Sequence, residues 1–368
     1  MALIRFNKKE FNQTFLGLLL TSFYGYLPHL SFLFIFIRNF QKLRINKPLF
    51  YYSFVLILFL SLSYLFTFNL NILRFLGLII VNFFLFSILQ ILFSKNQKIF
   101  FNLPEKLFYF HAFIIALTFF FPELNAILSG VDGTTGRISG LVGFDYMALF
   151  FGTYLISDYL CSDRKISFSF ILKLLISTLF VILSGRFGIT IIVFILLYIY
   201  FDNITIKKTF LFFLLIIISI ILLRDQLQFI YESFIGFWSY LLDNTNTDLK
   251  DFSNQNSNDD GYYSASPLTW LNMFLRPFLN IMHYIFPSSE SITVDPGPSY
   301  MILNLGLILT FIVYHYFSLF FKINKTIIWP FFIIYLLTDT KYHGILVPSS
   351  MFWLFLNMNK IKMYENYK

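Results

Sequence analysis

VILSGRFGITIIVF, residues 181–194, decides how this chain is read. It sits inside an apolar run that extends from about Phe168 to Phe201, and Arg186 interrupts it. A guanidinium cannot shed its proton to enter hydrocarbon. A single 30-residue helix is therefore a poor reading of the run. Ser184, Gly185 and Arg186 instead read as a tight turn between two shorter apolar helices, 168–184 and 187–201.

The same punctuation recurs along the chain. Of its 368 residues 58% are hydrophobic and 12% charged, about half the charge of an ordinary soluble domain. Apolar runs near the length needed to cross a bilayer, roughly 20 residues, fall at 14–37, 49–68, 71–93, 107–122, 141–160, 168–184, 187–201, 208–223, 299–321, 326–338 and 344–358. The expected fold is an all-α, polytopic transmembrane bundle of about 11–12 spans with one long extracytoplasmic loop carrying amphipathic helices. Residues 1–223 form an N-terminal bundle of about eight spans, 224–298 the loop, and 299–368 the last spans and a tail.

Charge supplies the orientation. Arg38, Lys42, Arg44 and Lys47 share one side with Lys95, Lys98, Lys106, Arg164, Lys165, Lys207, Lys208, Lys322, Lys325, Lys360, Lys362 and Lys368. By the positive-inside bias that side is cytoplasmic. This distribution accounts for the net charge of +8 without a nucleic-acid partner. The count leaves Arg5, Lys8 and Lys9 on the opposite side, which a break at Pro28 or a twelfth crossing reconciles. The first apolar run lacks a small-residue cleavage site, so no cleavable signal peptide is expected. The single cysteine, Cys161, reads as packing and precludes an internal disulfide.

The loop 224–298 holds nine acidic residues against three basic ones. Its centre, 243–267, is polar and rich in turn residues, whereas 225–242 and 267–286 mix aromatic and polar residues as interfacial helices do. Trp238, Tyr262, Tyr263 and Trp270 are candidate interface-anchoring rings.

The candidate chemistry gathers on the cation-poor side. Arg137 lies in DGTTGRISGLVGFDYMALFFG, 132–152, and Arg186 in SGRFG, 184–188; Arg224 and Arg276 belong to the loop, and Lys341 to DTKYHG, 339–344. Arginine grips phosphate oxygens through a planar fork, and neighbouring glycines admit close backbone approach. A lone arginine at an interface usually snorkels. Arg137 and Arg186, both beside glycines on the depleted side, point instead to a shared anionic ligand. His283 and His343 are candidate general bases, with Asp295 and Asp339 competing. Asp295 precedes Pro296 and also suits turn initiation. Asp145 lies close behind Arg137 and can orient it, while Asp158 is expected to reach water near the cytoplasmic end of its span. His29, His111 and His315 read as embedded. Neither a metal-binding pattern nor a P-loop occurs, so neither metal nor nucleotide cofactor is expected.

GRISGLVGFDYMALFFG, LSGRFGITIIVF, the long loop and the KYHG turn together resemble the bacterial O-antigen polymerase and O-antigen ligase superfamily. The resemblance implies a metal-independent glycosyltransferase of the inner membrane with its active site facing the periplasm. Lipid-linked oligosaccharide repeats on undecaprenyl pyrophosphate would be joined into surface polysaccharide. Outer-face arginines would hold the pyrophosphate, here Arg137 and Arg186, and a loop histidine, here His283, would serve as base. It also implies a flippase and a chain-length regulator as partners. An O-antigen ligase acting on lipid A-core is the nearest alternative. A transporter or flippase of lipid-linked sugars would carry ionisable groups deep in many spans, and a membrane acyltransferase ranks behind it.

Overall fold

In a computed structural model of the chain, the described residues are 47–95, 97–121, 123–124, 127, 141, 146–184, 188–202, 274–275, 277–278, 281–289, 297–321, 328–339 and 348–367. They form nine α-helices and one 3-10 turn, with no strand among them. The helices are α1 (Lys47–Thr67), α2 (Leu70–Lys95), α3 (Gln97–Phe120), α4 (Met147–Cys161), α5 (Phe168–Ser184), α6 (Gly188–Asp202), α7 (Gly297–Phe321), α8 (Ile328–Asp339) and α9 (Pro348–Tyr367). The 3-10 turn, Ile281–Tyr284, precedes α7. The expected spans 14–37 and 208–223 lie outside the described residues.

The run around Arg186 is indeed two helices. Tyr159, near the end of α4, meets both Phe170 at the start of α5 and Tyr198 near the end of α6. The far ends of the same pair meet where Gly188 packs on Val181. The two helices are therefore antiparallel. Contacts elsewhere continue the alternation: Phe50 and Phe83 pair across α1 and α2, Ser53 and Tyr316 across α1 and α7, and Trp329 and Tyr198 across α8 and α6.

The core is built around α4. Apart from Asp158 and Cys161 all of its residues are buried, because α3, α5, α6, α8 and α9 pack around it. A helix apolar on every side can be covered only in this way. Gly152 lets α6 close in: a Cβ there would lie 2.9 Å from Ile191 and 3.1 Å from Ile195. Against α9 the contact is polar. Ser157 Oγ donates to Asn357 Oδ1 at 2.8 Å, and Asn357 Nδ2 donates to Thr153 Oγ1 at 3.3 Å. His111 is wedged between Phe150 and Trp353 in the same core, the embedded position expected of it.

The rim is the reverse. α1 exposes Phe54, Val55, Leu58, Phe59, Leu62, Leu65 and Phe66 along one side. In water such a continuous apolar stripe would drive association; against acyl chains it costs nothing. Phe50–Thr67, Phe101–Phe120 and Gly297–Phe317 are long and apolar enough to cross a membrane, and shorter apolar stretches lie in α2, α4, α5, α6 and α8. The fold is that of a helical membrane protein.

Three boundaries differ from the hydropathy reading by more than four residues: α4 begins at Met147 rather than 141, and the other two differ more. α3 begins at Gln97 rather than 107, carrying Glu105 and Pro104 inside the helix. Pro104 lies within the first turns, and membrane helices tolerate proline where neighbours re-satisfy the backbone. α9 runs on to Tyr367 instead of stopping at 358, because Lys360 finds a partner in the bundle.

Candidate functional site

The bundle has two chemically distinct ends. Lys47, Lys95, Lys98, Lys106, Arg164, Lys165, Lys360 and Lys362 lie toward one of them. Toward the other, Arg74 is the sole cation among the described residues.

At the cation-poor end α7 is broken. Gly306 has φ 73 and ψ 167, a backbone region that only glycine enters readily. A Cβ there would lie 2.5 Å from the carbonyl carbon of Phe286 and 2.7 Å from the oxygens of Ile285 and Phe286. Residues 281–289 therefore pass directly over the break. The amide of Ile308 turns to the Ile285 carbonyl at 3.5 Å, outside the helix. The segment so docked carries His283, which is exposed at the end of the 3-10 turn.

Asparagines sew the segment in place. Asn69, in the turn between α1 and α2, donates through Nδ2 to the Ser288 carbonyl at 3.0 Å and to Asn304 Oδ1 at 3.2 Å. Asn71 Nδ2 donates to the same oxygen at 2.9 Å. Asn304 returns its own Nδ2 to the Tyr300 carbonyl at 2.8 Å. Ser299 Oγ donates to the Phe274 carbonyl at 2.8 Å, tying the first turn of α7 to the loop residues before the 3-10 turn. Beside this seam Arg74 is exposed on α2, and the Tyr300 ring leans on Phe75 with centroids 5.4 Å apart. The arrangement holds an accessible imidazole and an accessible guanidinium at one end of a rigid frame. An imidazole can accept a proton there, and a guanidinium can bind an anion.

Of the residues singled out by the sequence, His283 is described. Arg137, Arg186, Arg224, Arg276, Lys341, Asp145, His343 and Asp295 lie outside the described residues, as do Trp238, Tyr262, Tyr263 and Trp270. The helix ends beside several of them do share the end that holds His283. Ser184 and Gly188 flank the link with Arg186, Gly297 follows Asp295 closely, and Asp339 and Pro348 bracket Lys341 and His343.

The Lys-rich end holds a second constellation. Lys173 Nζ lies 2.9 Å from Glu105 Oε1 and 3.1 Å from Asp158 Oδ2, and Lys360 Nζ lies 3.6 Å from Asp158 Oδ1. Both ammonium groups stand over the Tyr154 ring, at 5.4 Å and 5.3 Å. Asp158 is thus not simply wetted, as expected from its position near a helix end. It joins α4 to α5 and α9. A flanking pair, Arg164 to Asp202 at 3.0 Å, and a hydrogen bond from Tyr364 to Asp163 close the same end.

Three residues escaped the sequence reading: Arg74, Lys173 and Glu105. Arg74 in LNILRFL and Lys173 in FSFILKLLIS each interrupt an apolar run, the signal that singled out Arg186. No protein-family model, curated protein or solved structure matches the chain.

Proposed function

We propose that this chain is an O-antigen polymerase, a membrane glycosyltransferase that crosses the bacterial inner membrane about eleven to twelve times and joins oligosaccharide repeats carried on undecaprenyl pyrophosphate. The observation that carries the reading is His283, an exposed imidazole on a segment docked over a helix break, at the end of the bundle poor in lysine. The positive-inside bias assigns that end to the periplasm, where lipid-linked repeats are presented.

In this reading His283 accepts the proton of an acceptor sugar hydroxyl. The hydroxyl oxygen forms a bond to the anomeric carbon of the growing glycan. The bond from that carbon to the pyrophosphate oxygen breaks, and its electron pair leaves with undecaprenyl pyrophosphate. Arg137 and Arg186 hold the leaving group, since fixed guanidinium groups stabilise developing phosphate charge. His343 and Asp295 are the competing bases. Arg224, Arg276 and Lys341 add positive potential, and Asp145 orients Arg137.

Deleting the gene and resolving the surface polysaccharide on a gel tests the reading. Glycan limited to a single repeat supports it, and a normal ladder refutes it. Long glycan retained on undecaprenyl pyrophosphate would assign the chain as the ligase. Arg186→Lys keeps the charge but loses the fork, so it should shorten the ladder in a chain that still inserts.

A second reading, transport of lipid-linked sugars, is favoured by the broken α7 and by the lysines buried between helices. Purified chain reconstituted in vesicles separates the two: flipping of a labelled lipid-linked sugar without glycan extension selects transport.

A further inference from the structure

We infer that Asn69 is a positioning residue for His283: its side-chain amide sets the segment that presents the imidazole, a role that rests on the reading of His283 as base. An asparagine in a turn ordinarily bonds the neighbouring backbone and no more. Asn69 does this through Oδ1, which accepts from the Asn71 amide at 2.9 Å and so caps the start of α2. Its Nδ2 has a separate task. It donates to the Ser288 carbonyl, 219 residues away, at 3.0 Å and to Asn304 Oδ1 at 3.2 Å. Asn69 is 1% exposed, so water cannot take the place of these partners.

The place of Ser288 in the chain makes that bond a lever on His283. The 3-10 turn Ile281–Tyr284 carries the imidazole, and Ser288 follows shortly after it, past Pro287. Before the turn the loop is tied where Ser299 Oγ meets the Phe274 carbonyl at 2.8 Å. After it, the backbone of Ile285 and Phe286 rests on Gly306. That contact is steric: it stops the segment moving inward but does not hold it there. The Ile308 amide reaches the Ile285 carbonyl only at 3.5 Å, the outer limit for a hydrogen bond. Asn69 supplies a shorter and more strongly attractive hold. Aspartate and serine also cap helices, but neither can replace the asparagine amide here. An ionised aspartate turns an acceptor toward the Ser288 carbonyl, and serine is too short to reach it.

The test compares Asn69→Ser and Asn69→Asp with the parent, with His283→Ala and with Ser157→Ala, each as the full chain reconstituted in vesicles with a synthetic undecaprenyl-pyrophosphate-linked repeat. Ser157→Ala controls for lost stability, because it breaks a buried hydrogen bond to Asn357 toward the other end. Both Asn69 variants should speed amide hydrogen exchange across 281–289. They should lower kcat about ten- to a hundredfold and leave KM within about twofold of the parent, since the base moves while the substrate contacts stay. Ser157→Ala should leave kcat and the exchange of 281–289 unchanged. Parental kcat in the Asn69 variants beside a loss in His283→Ala overturns the inference and leaves the base assignment standing. A fall in kcat that Ser157→Ala reproduces also overturns it, since instability alone would account for the effect. Full kcat in His283→Ala overturns the base assignment, and the role of Asn69 with it. A parent chain that extends no glycan refutes the polymerase reading on which both depend.

Discussion

The four charges at the Lys-rich end offer the sharpest energetic test. Lys173→Met keeps the stem's packing and removes one ammonium. Losing one partner of a buried ion pair costs about 3–5 kcal/mol when the remaining charge is sealed off. Two features lower that figure here. The Glu105 side chain is 44% exposed and can rehydrate, and Asp158 retains Lys360 at 3.6 Å. Against this, Lys173 and Lys360 are only 6% exposed and Asp158 19%, so Asp158 cannot recover its full hydration. The expected loss is about 2–3 kcal/mol, or a fall of about 3–4 °C in the melting temperature of the detergent-solubilised chain. Lys173→Arg, which keeps the charge, should lose less than half of that. A double-mutant cycle isolates the contact: Lys173→Met with Asp158→Asn should cost at least about 1 kcal/mol less than the sum of the single variants. Melting of Lys173→Met within about 1 °C of the parent, or strict additivity in the cycle, would show that the cluster does not fasten α4 to α5.

Three further outcomes follow from close contacts at the other end. Gly306→Ala forces a Cβ against the Phe286 backbone in a conformation costing about 1–3 kcal/mol; limited proteolysis should cut 281–289 faster, and an unchanged cleavage rate would deny the docking. Gly188→Ala drives a Cβ into Val181 Cγ1 and to 3.0 Å from Ala148, an overpacking of about 1–3 kcal/mol. Val181→Ala in the same chain should restore most of the lost melting temperature, and failure to do so would place the strain elsewhere. Asn304→Ala removes the oxygen that accepts from Asn69 and Asn71 and should cost about 1–3 kcal/mol, again with faster cleavage of 281–289.

What sequence alone conveyed was the helix inventory, and the reason is physical. An apolar run bounded by a charge or an asparagine has few options in a bilayer, so 168–184 is α5 as expected and 187–201 differs from α6 by one residue. The two ends misjudged most are those where a charge is neutralised by a distant helix. Hydropathy excluded Glu105 and Lys360 from their helices, because it sums each residue in isolation. Their partners, Lys173 and Asp158, come from two other helices. The same limitation hid the break in α7. Gly306 sits in NLGLIL, where a glycine in a membrane helix ordinarily signals close packing. Only the path of 281–289 over it reveals that the helix stops and restarts.

Arg186 and Arg74 bring these strands together. The first splits a run of conspicuous length; the second lies in LNILRFL, close to the start of α2. Yet charge in an apolar run is most informative when the positive-inside bias opposes it. By that criterion the two arginines are equivalent, and Lys173 belongs to a different class, since it sits on the cation-rich side with carboxylates already in place. A cation whose counter-charge the protein supplies fastens helices together. Arg74, on the depleted side, is exposed and has no carboxylate paired with it among the described residues, so it does not fasten helices as Lys173 does.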